Sequence, residues 1–133
     1  MDVPAELRSE YARLLSLALS GQPEALVALS EMARLADLAQ ALGLAEFSVE
    51  CLRAQLRFAI LAESRRDIPD LRLRLKQAGD ADPFDIFQLG ESLADAGRLD
   101  EARANFREAA EKAEIEGDHE LSRRARVALA KIK

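Results

Sequence analysis

Apolar residues recur along most of this chain at intervals of three and four, the spacing that puts them on one face of a helix. Leu7, Tyr11, Leu14 and Ala18 form the first such stripe and predict a helix over about 4–19, with Pro4 suited to its first turn. Ser20-Gly21-Gln22-Pro23 interrupts it. Leu29, Met32, Ala36 and Ala39 then align a long helix over about 24–42, closed by Gly43. A third helix, about 45–62, carries two stripes. Phe47, Cys51, Ala54, Phe58 and Ala62 make one; Val49, Leu52, Leu56 and Ile60 make the other. A helix apolar on two sides is packed on two sides, which points to a central position.

The stretch DLRLRLKQ, residues 70–77, conflicts with itself. Its alternation is that of a strand, yet Ile68, Leu71, Leu75 and Ala78 also share a helical face. A lone strand would lack a partner in a chain with no other strand signal, so a helix is expected, with Pro69 near its start. Asp82-Pro83-Phe84-Asp85 combines a capping Asp, a first-position Pro and a first-turn acid, and starts a fifth helix that runs to about residue 96. Gly97-Arg98 turns the chain into a sixth helix over about 100–116. Gly117 ends it, and Asp118 caps a seventh on which Leu121, Ala125, Ala128, Leu129 and Ile132 share a face.

Three of these helices end on glycines 36 and 38 residues apart: Gly43, Gly79 and Gly117. A period in that range marks stacked helical repeats. The expected fold is all-α, a right-handed α-solenoid of about three helix-turn-helix repeats (4–43, 44–79, 80–117) with a capping helix over 118–132. No Ser/Gly-rich linker divides the chain, so residues 1–133 are expected to form a single domain.

Within the third repeat, Ile86, Leu89, Gly90, Leu93, Gly97, Leu99, Ala102, Phe106 and Ala109 fall on the spacing of the tetratricopeptide repeat (TPR). The chain resembles that family most closely over residues 83–113, and its Gly-Asp turns resemble the longer repeat variant of cell-polarity adaptors and bacterial signalling regulators. Ile86 stands where the family usually has Trp, Leu93 where it has Tyr, and Glu114 where Pro commonly ends the unit. The resemblance implies close approach of paired helices at the small residues Gly90, Ala102 and Ala109, with Phe106 filling the space they leave. It also implies that the first helix of each pair lines a concave groove for a partner's peptide. By that register Phe84, Phe87, Gln88, Glu91 and Asp95 face the groove, and Leu52, Leu56 and Ile60 add an apolar floor. Two readings stay open for these residues, groove lining and packing between neighbouring helices. The basic clamp of chaperone-binding members is not carried over, because aromatic and acidic residues stand in its place.

Composition narrows the function further. The chain has 133 residues, 49% apolar and 32% charged, and only 5% aromatic, so its core must be Leu and Ala between closely spaced helices. A net charge of −5 gives no support to nucleic-acid binding, which needs a basic stripe. No run of about 20 uncharged apolar residues marks a membrane span, and the N-terminus lacks the pattern of a signal peptide, so a cytoplasmic protein is expected. His119 is the only histidine and Cys51 the only cysteine. One His builds neither a metal site nor a triad, and a Cys on an apolar stripe reads as a buried, inert thiol. The acid-rich run of residues 108–120 reads as a solvated helix face with pairs such as Glu108–Lys112. No catalytic constellation, cofactor fingerprint or phosphate loop can be written onto the chain. The expectation is therefore a non-catalytic module that binds a protein or peptide partner in an apolar, acid-rimmed groove, with no cofactor, metal, nucleic acid or membrane involved. The alternative is a structural protein whose apolar faces pair it into a homodimer.

Overall fold

A computed structural model describes residues 2–79 and 81–132. Among these the chain is all-α, with seven helices and no strand: α1 (Ala5–Ala18), α2 (Gln22–Ala41), α3 (Ala45–Leu61), α4 (Ile68–Gln77), α5 (Pro83–Asp95), α6 (Leu99–Ile115) and α7 (His119–Lys131). The ambiguous alternation of residues 70–77 resolves as helix. Leu71 and Leu75, one turn apart, are buried, and Leu73 between them is only half-buried.

Backbone contacts gather the chain into two compact units, Met1–Leu71 and Arg72–Lys133. In the first, α2 packs along both α1 and α3, and α1 also meets α3. Ala25, Ala28, Ala36 and Ala39 of α2 are buried with Met32, and such small side chains let two neighbours approach one helix. The helix flanked on both sides within this unit is thus α2. The first stripe of α3, from Phe47 to Ala62, lies in the core with Leu14 and Ala18 of α1. The second stripe is graded in exposure: Leu52 is buried, Val49 and Leu56 are half-buried, and Ile60 is 49% exposed.

The second unit has the same order. Here α6 packs between α5 and α7, and α5 touches α7. Ile86, Leu89 and Leu93 of α5 meet Ala102, Phe106 and Ala109 of α6, with Leu121 and Ala125 of α7 completing the core. A methyl group added at Gly90 would fall 2.7 Å from the Phe106 ring, so α5 and α6 approach as closely as the sequence implied.

One turn recurs between the helices. At the end of α5 the Arg98 N–H donates to the Leu93 carbonyl (2.8 Å) and the Gly97 N–H to Ala94 (3.0 Å), with Gly97 at φ +81°. This is the Schellman closure, which satisfies carbonyls a helix leaves open at its C-terminus. The same pair of bonds closes α2, α3 and α6 through Leu44 to Ala39, Ser64 to Ala59 and Asp118 to Ala113. At the end of α3 the left-handed position is held by Glu63 (φ +55°), not glycine. The same turn conformation is therefore present there although its usual glycine is missing.

Candidate functional site

α5 begins with a full capping box. Asp82 accepts from the Asp85 N–H (2.8 Å) and Asp85 accepts from the Asp82 N–H (3.2 Å), with Pro83 at the first position. That fixes the start of the helix and hence the direction of its faces. Phe87, Glu91 and Asp95, four residues apart, follow one line along it. They form one wall of a groove of about 470 Å³ between α5 and α7. Val127 and Ala128 of α7 face them with Ile132 just past its end, and Phe106 of α6 joins Phe87 in the floor.

Phe87 is 3% exposed, and its ring lies tilted at 51° against Phe106 with centroids 5.6 Å apart. The Arg124 guanidinium sits 5.1 Å above the Phe87 ring centre, a cation held against an aromatic face. Phe87 is therefore core and groove floor at once. The walls carry opposite charge. Glu91 and Asp95 stand on α5, and Arg123, Arg124 and Lys131 on α7. Arg123 pairs with Glu120 (2.7 Å). Among the described residues no ion pair within the chain engages Glu91, Asp95, Arg124 or Lys131.

The other residues singled out from sequence lie elsewhere. Gln88 turns toward α4, where its side-chain oxygen accepts from Arg72 (2.9 Å). Arg72 is itself half-buried, and desolvation lowers its pKa against the opposing pull of Asp85 and Glu91. Phe84 is 43% exposed in the first turn of α5 and lies outside the groove. Leu52, Leu56 and Ile60 belong to α3 in the first unit. The α7 wall, with Arg123, Arg124 and Lys131, was not among the groove residues expected from the sequence, where the last helix was expected to be a cap. No local pattern in the sequence relates these α7 residues to α5, so only the packing of the two helices reveals the second wall.

A second hollow, about 450 Å³, lies in the first unit and includes Arg8, Phe47 and Glu50. Arg8 lies 4.9 Å from the Phe47 ring centre and pairs with Glu50 at 2.7 Å, so its charge is already matched. Cys51 is fully buried, and burial first, then Glu50, pushes its thiol up to about 11. His119 Nδ1 lies 3.2 Å from a carboxylate oxygen of Glu114 beside the α6–α7 turn, and the ring is largely exposed. Among the described residues no group of His, Cys, Asp or Glu is arranged to hold a metal ion, and no helix is long and apolar enough to cross a membrane.

No family model, curated protein or solved structure matches the chain. The class that fold and groove define is therefore drawn from the geometry alone: an all-helical protein in which α2 packs between α1 and α3, α6 packs between α5 and α7, and an open groove lies between α5 and α7.

Proposed function

We propose that the protein is a tetratricopeptide-type α-solenoid serving as a non-catalytic, cytoplasmic interaction module, and that the α5–α7 groove holds an amphipathic helix or peptide of a protein partner. The observation that carries this reading is the pairing of an apolar floor with two walls of opposite charge, Glu91 and Asp95 on one side and Arg124 and Lys131 on the other, none of them held in an ion pair within the chain among the described residues. Charges outside any ion pair at a groove rim favour a ligand that brings the complementary set, and they set its orientation. The fitting ligand is a helix with an apolar seam, a basic edge to lie along α5 and an acidic edge to lie along α7. Support for the repeat reading comes from the recurrent Schellman turn, the Gly90–Phe106 contact and the shared helix order of both units.

The test is affinity capture from the native lysate with wild type, Val127→Asp and the double variant Glu91→Lys/Asp95→Lys. All three positions are exposed, so the fold should survive each change. A protein retained by wild type and lost by both variants is the expected result. Retention unchanged by both would place the binding surface elsewhere.

A further inference from the structure

The outer face of α2 is not covered by α1 or α3, and it is unusually apolar for a surface. Leu26, Val27, Leu38 and Leu42 are each between 45% and 53% exposed. Val27, Arg34 and Ala41, seven residues apart, mark the middle of that face along the helix. Its charges are arranged in a particular way. Glu31 at the edge is already held by Arg13 (3.1 Å). Arg34 and Asp37, one turn apart near the centre, have no ion pair within the chain among the described residues.

We infer that this face pairs with the same face of a second copy, α2 antiparallel to α2 about a two-fold axis midway between Arg34 and Asp37. An isologous contact brings residue i to j and j to i. Here it sets Arg34 of each copy against Asp37 of the partner subunit, giving two identical ion pairs at the centre. The same register brings Val27 beside Leu42 of the partner subunit at either end, and Leu38 along the aliphatic stem of Arg34 of the partner subunit. A parallel pairing would oppose Arg34 to Arg34 and Asp37 to Asp37, and like charges in contact exclude it. α2 has 20 residues and is therefore about 30 Å long. A single helix pair of that length lies at the small end of specific interfaces, so the dimer is reversible and concentration-dependent. This pairing uses the first unit's outer surface and is independent of the α5–α7 groove.

Charge exchange tests it. The wild-type mass is followed by sedimentation from low micromolar to near-millimolar concentration, beside Arg34→Asp, Asp37→Arg, the double exchange and Leu38→Glu. Each single charge reversal should raise the dissociation constant about tenfold. The double exchange should restore the wild-type value, and an equimolar mixture of the two single variants should form a heterodimer. Leu38→Glu should remain monomeric throughout, with an unchanged melting curve that shows the fold intact. A wild-type chain that stays monomeric over the whole range overturns the inference, as do single variants that dimerise like wild type or a double exchange that fails to restore the dimer.

Discussion

At Gly90 the absence of a side chain is a packing requirement, because a Cβ there would meet the Phe106 ring at 2.7 and 2.8 Å and that ring is wedged against Phe87. Gly90→Ala gains about 1 kcal/mol of helix propensity but overpacks the α5–α6 contact by about 1–3 kcal/mol. A net loss is expected in urea denaturation, and a stabilised variant would refute the close-approach account. Glu63 presents the opposite case. Its left-handed backbone suits glycine, so Glu63→Gly should stabilise by about 0.5–1 kcal/mol even though it gives up a surface hydrogen bond from Gln22. Phe87 was singled out from sequence as a groove residue, and the structure adds that it is buried against Phe106. Phe87→Ala should therefore cost about 3–5 kcal/mol, so binding is better probed at Val127, Glu91 and Asp95. Cys51, buried and with its thiol pushed up to about 11, should resist thiol reagents at neutral pH and react only as the chain unfolds.

At the scale of the element, the end signals were the most legible part of the sequence. Asp82-Pro83-Phe84-Asp85 announced the start of α5, and the capping box appears there with both bonds formed. Asp82→Ala should cost about 1 kcal/mol, read from the denaturation midpoint. Gly97 and Gly117 marked the ends of α5 and α6 in the same direct way. The α3 turn was harder to read, since Glu63 adopts a glycine's conformation and leaves no trace in residue type. Links between elements depend on pairs distant in sequence. Arg13 of α1 bridges Glu10 (2.6 Å) and Glu31 of α2 (3.1 Å), and its hydrogen bond holds the Glu10 carboxyl below the usual carboxylate range. A carboxyl depressed in the folded state contributes stability above its unfolded pKa and loses it as pH falls through the lower folded value. The stability difference between wild type and Arg13→Ala should shrink as pH drops below about 4, with the exposure of the pair keeping the effect small.

At the scale of the molecule, net charge hides the arrangement that matters. A chain of −5 reads as an acidic surface, yet the α5–α7 groove has one acidic and one basic wall. Binding in that groove should weaken as salt rises, because exposed charges at its rim are screened over about 10 Å at 0.1 M ionic strength; titration of the captured partner at two salt concentrations reads this directly. One wall of this groove follows from local spacing. Phe87, Glu91 and Asp95 lie four residues apart, and helical geometry alone puts them on one line. The other wall, Arg124, Val127 and Lys131, comes from residues about 36 positions further along the chain, which no local pattern relates to α5. Periodicity, capping residues and turn glycines depend only on neighbours within a few positions, so the sequence by itself determined the seven helices and most of their ends, while the close approach at Gly90 was implied by the family resemblance. Which face of each helix is covered, and by what, depends on residues far apart in the chain. Only the tertiary structure could therefore decide that Gln88 turns to Arg72 and that Phe87 is a floor, not a rim. By the same reasoning it alone could place a basic wall opposite the acids and leave the outer face of α2 bare.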